Sequence, residues 1–275
     1  SKSWHSHIRG KGLRMIAFIG GGNMAEALIK GMKGSGSKED ITVSEPLAQR
    51  REYLRDTYGV SVTFDNAEAV KKASIIVLAV KPQQMDKVIA DIAPGVDSKK
   101  TVVSIAAGIT IKYYLDRLDT ERVVRVMPNM GAMKGEGMSV LSFCDCINDA
   151  DTGRVKEIFM SSGVAIALPE HQMDAVTALS GSGPAFIALF IESMIEAGVS
   201  LGLGRDDAAQ LAIQTLRGTT EVLDGGPTPG KLIEMVRSPG GTTAEGLSTF
   251  EREGLRQTVL KALEAAARRS KELSK

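Results

Sequence analysis

Met15-Ile-Ala-Phe-Ile-Gly-Gly-Gly-Asn-Met-Ala-Glu-Ala-Leu-Ile-Lys-Gly-Met32 decides how the first half of this chain folds. An apolar run over residues 16–19 stops at Gly20, and apolar residues then return at Met24, Leu28 and Met32 with Ala25 and Ile29 beside them. The period changes from that of a buried strand to that of an amphipathic helix. The turn between them reads Gly20-x-Gly22-x-x-Ala25, a dinucleotide fingerprint. In it Gly20 permits the tight turn, Gly22 lets backbone approach a pyrophosphate, and small Ala25 lets helix pack on strand. Amides of the new helix's first turn would hold the phosphates. A Gly-rich turn in another α/β protein would look similar, but the strand before and the helix after favour the dinucleotide.

The wider composition fits that reading. With 275 residues the chain is long enough for one large or two ordinary domains, and 43% hydrophobic with 24% charged residues is globular. A net charge of +1 gives no electrostatic case for nucleic acid or an anionic membrane. The most apolar stretch, 175–191, is interrupted by Thr177, Ser180, Gly181, Ser182, Gly183 and Pro184, so no membrane span is expected. Cys144 and Cys146 lie too close together for a mutual disulfide and read as free thiols of a reducing, cytoplasmic setting. Residues 1–14 have no periodicity and read as an added or disordered leader. His5 and His7 fall in it, leaving His171 as the remaining histidine, so a His-based triad or metal site is not expected.

Outward from the fingerprint, residues 41–45 read as a second strand and 47–58 as a polar helix. Glu45 lies 23 positions past Gly22, close to the roughly 20 at which such folds inspect the adenosine ribose. A carboxylate there would accept the 2′-hydroxyl of NAD and repel the 2′-phosphate of NADP, whereas Ser44, Arg50 and Arg51 would suit the phosphate. The choice between NADPH and NADH stays open, and Glu45 also reads as a solvated turn residue. Residues 60–63 look like a third strand and 67–72 a short helix. The runs 74–80 and 101–105 read as continuous apolar strands of the kind buried on both faces of a parallel sheet, and 122–126 reads as a further strand. They end at Lys81-Pro82, Ala106-Ala107-Gly108 and Met127-Pro128-Asn129, and those ends are where the nicotinamide half is expected. Residues 137–143 and 164–168 read as closing strands around a helix over 149–161.

Past Pro169 strand signals stop. Helices are expected over 173–179, 184–199, 206–223 and 230–236, with a pair after Thr243. The fold expected is therefore α/β: a Rossmann-type dinucleotide-binding domain over 15–168 and an all-helical domain over 169–275. The helix from Pro184 is apolar around most of its surface, which suits burial on all sides. So short a helical domain would not cover it alone, so a second subunit is expected against it. Arg237-Ser-Pro-Gly-Gly-Thr-Thr-Ala-Glu-Gly-Leu247 is the chemically loaded stretch of this half. Gly240 and Gly241 expose amides, and Thr242 or Thr243 would cap the following helix, a nest suited to a carboxylate or phosphate. An ordinary Gly-rich helix junction has the same composition.

Phe18-Ile-Gly-Gly-Gly-Asn-Met-Ala25, Leu78-Ala-Val-Lys-Pro82, Ala106-Ala-Gly108, Met127-Pro-Asn129, Leu179-Ser-Gly-Ser-Gly-Pro-Ala185 and Ser238-Pro-Gly-Gly-Thr-Thr243 resemble, in order and at family spacing, the motifs of pyrroline-5-carboxylate reductases. The resemblance runs from Met15 to the C-terminus. It implies reduction of the C5=N bond of 1-pyrroline-5-carboxylate with NADPH or NADH, the last step of proline biosynthesis. Carried over by motif, Gly20, Gly22, Asn23 and Met24 would hold the pyrophosphate, and Ser44 and Asn66 would meet the adenosine side. Ala79, Val80, Lys81, Pro82, Ala106 and Ala107 would line the nicotinamide. Ser238, Gly240, Gly241, Thr242 and Thr243 would take the substrate carboxylate and ring nitrogen, with Thr243 first choice for the nitrogen and Glu170 at the rim. Met235 and Arg237 stand where some members carry polar or amide residues, so contacts from those positions are not carried over. The resemblance further implies a homodimer through the helical domain and rings of such dimers.

Two other readings compete. A 3-hydroxyacid dehydrogenase has a similar architecture but places a catalytic lysine on a helix of the second domain, and here no lysine occurs between Lys156 and Lys231. A cofactor-sensing module would keep the nucleotide site without turnover, which the intact stretch from Ser238 to Thr243 argues against.

Overall fold

The computed structural model describes residues 15–144 and 147–274. The paired-cysteine reading therefore rests on Cys144, a free thiol; Cys146 and the leader lie outside the described residues.

Among these residues, β1 (Met15–Ile19), β2 (Asp40–Ser44), β3 (Ser61–Thr63), β4 (Ile75–Leu78), β5 (Thr101–Ser104), β6 (Val123–Met127), β7 (Gly137–Phe143) and β8 (Gly163–Ala167) form one sheet. Their order is β3-β2-β1-β4-β5-β6-β7-β8. The first six strands are parallel; β7 runs antiparallel to β6 and parallel to β8. The connections carry α1 (Asn23–Gly34), α2 (Ala48–Tyr58), α3 (Asn66–Lys71), α4 (Met85–Ile92), α5 (Ile111–Leu115) and α6 (Asp149–Met160). Strand order reverses between β1 and β4, where open α/β sheets leave a crevice beyond their strand ends.

Alternate residues of each central strand serve opposite faces. Ala17, Ile19, Ile76, Leu78 and Val102 pack with Met85, Val88, Ile89 and Ile92 of α4. Ile16, Phe18, Ile75, Val77 and Val103 pack with Leu28, Ile29 and Met32 of α1 and with Phe159 of α6. Burial on both faces is why these strands read as unbroken apolar runs.

One buried cation ties the lower edge together. The Lys100 ammonium, 8% exposed, donates to the carbonyls of Val70 at 2.6 Å, Lys71 at 3.1 Å and Ala73 at 3.1 Å. It closes the C-terminal end of α3, and burial pushes its pKa down. Lys100→Met keeps the stem and takes the ammonium away from these carbonyls, of which that of Val70 still accepts the Ala73 amide at 3.2 Å. A loss of about 1–3 kcal/mol is expected, read as a lower urea midpoint at unchanged m-value.

By contacts the chain divides into two units, one reaching Gly181 and resuming at Arg268, the other running Ser182–Ala267. Strand signals end by Leu168, yet α7 (Met173–Val176) still belongs to the first unit. Met173 and Val176 form a small core with Val140, against which Met127, Met138 and Leu168 pack. A change of secondary structure and a change of packing partner thus fall at different residues. The return of α12 (Leu255–Leu273) to the first unit is fixed by Ser270, whose Oγ donates to Asp174 Oδ1 at 2.7 Å.

The second unit holds α8 (Gly183–Ser200), α9 (Arg205–Leu223), α10 (Pro229–Val236), α11 (Thr242–Arg252) and most of α12. Burial of α8 on all sides is not what the single chain shows. None of its residues is buried, and Leu189 is 63% exposed. The polar and glycine residues at 177–184 do not lower the hydropathy of the stretch Glu170–Ser200 enough to exclude a span: it is long and apolar enough to cross a membrane by length and composition alone. Thr177–Gly181 turn as a π-helix, and Pro184 sits in the first turn of α8, where a missing N–H costs nothing.

Candidate functional site

The crevice at the strand switch is built by glycine. Gly20 has φ 97°, and a Cβ on it would lie 2.6 Å from the carbonyl oxygen of Ala79, just past β4. Gly22 is the N-cap of α1, with no side chain closing the helix. The first-turn amides, including those of Asn23 and Met24, have no intrahelical acceptor. A Cβ on Gly22 would meet no protein atom within 4 Å. The protein's own packing thus does not demand glycine there; the opening suits a ligand brought against backbone, an anion at a helix N-terminus.

At the expected adenosine end, Ser44 and Asn66 come together. Ser44 Oγ donates to Asn66 Oδ1 at 2.7 Å, and Asn66 Nδ2 donates to Asp91 Oδ2 at 3.0 Å. Glu45 is not the solvated turn residue its sequence setting also allowed: it is 8% exposed, and its carboxylate accepts the amides of Gly21 at 2.9 Å and Leu47 at 3.0 Å. Of the neighbouring arginines, Arg50 donates from Nε to the Gly21 carbonyl at 2.7 Å and from Nη2 to Glu26 at 2.6 Å. Arg51 donates from Nη1 to the carbonyls of Glu45 and Pro46 and lies over the exposed Phe64 ring. Burial tends to raise the Glu26 pKa, but donors on Tyr58, Arg50 and Tyr53 outweigh it and hold the carboxyl below its ordinary value.

Toward the expected nicotinamide side, Pro82 opens a short 3-10 turn, Val80 is half-buried and Lys81 exposed. Ala106 is buried and Ala107 exposed. A device the sequence reading missed holds this second loop. Ser104 Oγ accepts the Ala106 amide at 3.2 Å and shares a 2.6 Å hydrogen bond with Tyr114 Oη. Burial pushes the Tyr114 hydroxyl far above its ordinary pKa, and that of Tyr113, bonded to Asp86, up to about 12. Both hydroxyls stay neutral.

Two more motifs meet within the first unit. Asn129 donates from Nδ2 to the Ser180 carbonyl and hydroxyl at 3.3 Å each, while its Oδ1 accepts the amides of Gly131 and Met138 at 3.1 Å. Glu170, expected at the substrate rim, spends Oε1 on the Ile111 amide at 2.8 Å and on Arg125 Nη1 at 3.2 Å. Any ligand contact from it falls to Oε2.

In the second unit, the stretch from Ser238 to Thr243 enters α11. Gly240 has φ 66°, in the left-handed region, and a Cβ on Gly241 would collide with Ser238 Oγ. The N-cap is Gly241 and not, as expected, a threonine, so Thr242 and Thr243 stand inside the first turn with no side-chain cap over them. Thr243 is half-buried and lines a cavity of about 540 Å³ with Thr215, Leu232, Ile233 and Leu247. Among the described residues no cluster of His, Cys, Asp or Glu suits a metal.

A family model for pyrroline-5-carboxylate reductase dimerisation matches residues 170–273, and one for coenzyme F420-dependent NADP oxidoreductases matches residues 15–108. Over 263 residues the chain is 40% identical to a pyrroline-5-carboxylate reductase of Synechocystis sp., covering 94% of this chain and 98% of that one. The solved pyrroline-5-carboxylate reductase of Coxiella burnetii matches with TM-score 0.90 and 34% identity, over 94% of this chain and 98% of that one. The solved pyrroline carboxylate reductase of Plasmodium falciparum, with NADP bound, matches with TM-score 0.85 and 34% identity, over 97% of this chain and 100% of that one.

Proposed function

Because the chain belongs to the pyrroline-5-carboxylate reductase family, we propose that it reduces 1-pyrroline-5-carboxylate to L-proline, closing proline biosynthesis, with NADPH or NADH as hydride donor at the C5=N bond. One observation carries the reading: α1 and α11, like α9, are each entered through glycine and lack a side-chain cap, and in α1 and α11 that glycine belongs to the motifs at 20–25 and 238–243. One such N-terminus suits a pyrophosphate and the other a small carboxylate. Asn23 and Met24 present first-turn amides to the dinucleotide, and Ser44 and Asn66 stand at its adenosine side. Ala79, Val80, Lys81, Pro82, Ala106 and Ala107 shape the wall for the nicotinamide. Ser238, Gly240, Gly241 and Thr242 take the substrate carboxylate, and the Thr243 hydroxyl bonds the ring nitrogen.

An imine carbon is already electrophilic, so these residues have to orient the reactants and neutralise the carboxylate, and no strong base is required. Orientation is worth up to ~7–11 kcal/mol in favourable cases. The proton on nitrogen comes with the substrate or through Thr243.

The dimerisation match over residues 170–273 and the open apolar surface of α8 support a homodimer through the helical unit. A ring of such dimers extends this proposal. The same surface answers the apolar composition of residues 170–200 without a bilayer. The free Cys144 thiol and near-neutral charge fit a cytoplasmic enzyme.

Oxidation of NADPH and NADH, followed separately with 1-pyrroline-5-carboxylate and with a 3-oxoacid, tests the reading. Turnover with the imine alone is expected. Turnover with the oxoacid alone would make the chain a hydroxyacid dehydrogenase, and dinucleotide binding without turnover a sensing module.

A further inference from the structure

Gly21, which leads from the Gly20 turn into α1, is gripped at its amide and at its carbonyl by groups the reaction does not use. The Gly21 amide donates to Glu45 Oε2, and the Gly21 carbonyl accepts from Arg50 Nε. Neither grip is free to drift. The second oxygen of Glu45 is held by the Leu47 amide, and Arg50 is anchored through Nη2 on Glu26. Glu26 is in turn fixed through Oε1, which accepts the hydroxyls of Tyr53 at 2.8 Å and Tyr58 at 2.7 Å. Leu54 closes the remaining side, since a Cβ on Gly21 would lie 2.7 Å from its Cδ1.

We infer that Glu45 and Arg50 are positioning residues for the pyrophosphate-binding loop, and that Glu45 takes no part in choosing between the two cofactors. Three consecutive glycines have more backbone freedom to lose than any other tripeptide. A loop ordered in advance spares the cofactor that cost on binding. Glu45 stands where a ribose-reading carboxylate is expected, but its lone pairs facing the loop are committed to backbone amides of this chain. The inference rests on the dinucleotide reading proposed above, and it predicts an effect shared by every ligand that carries a pyrophosphate.

Direct titration of NADPH, NADH, ADP-ribose and adenosine 2′-monophosphate against Glu45→Ala and Arg50→Met, with no imine present, tests it. Both variants are expected to weaken the first three ligands by a common factor of about fivefold, the low end of what a stranded buried donor costs. Adenosine 2′-monophosphate, which has no pyrophosphate, should bind as before. In turnover the cofactor KM rises and kcat at saturation is kept. Glu45→Gln should fail to rescue, because its amide nitrogen must face one of two N–H donors. Arg55→Ala, on an exposed part of α2, is the control. Should Glu45→Ala not fold, Arg50→Met decides alone. Unchanged ADP-ribose affinity in a folded variant overturns the clamp, and so does an altered NADPH-to-NADH ratio in Glu45→Ala. A wild-type protein that binds none of the dinucleotides defeats the underlying reading instead, and one that binds them without reducing the imine leaves the clamp measurable.

Discussion

Thr243→Ala is expected to lower kcat for 1-pyrroline-5-carboxylate tenfold or more, about 1.4 kcal/mol or more of lost transition-state stabilisation, with NADPH affinity unchanged. Hydride arriving at C5 shifts an electron pair onto the ring nitrogen, so a hydrogen bond there gains strength between ground state and transition state. Such an interaction raises kcat and does not merely tighten binding. Thr243 is proposed as the donor of that bond. Thr243 stands in the first turn of α11 behind Gly240 and Gly241, with no side chain capping the helix above it, and it lines a cavity. Serine at 243 keeps the hydroxyl and should recover most of the rate, whereas valine keeps the shape and should not. The comparison of serine with valine separates hydrogen bonding from packing. Steady-state kinetics at saturating NADPH, with cofactor affinity measured independently, reads the result. Wild-type kcat in Thr243→Val would remove the residue from the chemistry.

What the sequence made legible follows the range of the interactions concerned. The fingerprint was readable because its glycines answer to local backbone geometry, and Gly20 indeed has a φ of 97°. The central strands were readable because burial on both faces leaves an apolar run. Helix α4 carried its signal too, with Met85, Val88, Ile89 and Ile92 at helical spacing and all buried, but a strand-first reading passes over it. Helix α5, Ile111–Leu115, is too short to show a period. What sequence cannot provide is the direction of a side chain across the fold. Glu45 stands at the ribose-reading position, and only the packed structure shows its carboxylate turned back onto Gly21 and Leu47. Asn129 and Ser180 were each inside a recognised motif, yet their bond spans 51 residues and no spacing rule joins them. The cap of α11 was misplaced by a residue because Gly241 and Thr242 both suit such a position, and the turn at Gly240 decides between them.

Gly20→Ala tests the proposal at its foundation and should abolish measurable dinucleotide binding, a loss of about a hundredfold or more. Two costs combine there. An L-residue held at φ 97° is strained by roughly 1–3 kcal/mol. The new methyl also lies 2.6 Å from the Ala79 carbonyl oxygen and 3.0 Å from Val80 Cγ1. The second cost cannot be relieved by a rotamer change, because the nearest atom is backbone that continues β4, whose neighbouring amide is bonded to Ile19 at 2.8 Å. The turn has to shift, and the α1 amides that would face the pyrophosphate shift with it. At about 1.4 kcal/mol per tenfold, the loss stated corresponds to about 2.8 kcal/mol, the upper part of the strain range. Gly22→Ala is the informative partner, since its Cβ meets no protein atom within 4 Å. It should leave the melting temperature unchanged and still weaken NADPH, because the space it fills is the ligand's. Equal NADPH binding by wild type, Gly20→Ala and Gly22→Ala, measured by titration with thermal melts alongside, would take the cofactor away from this turn.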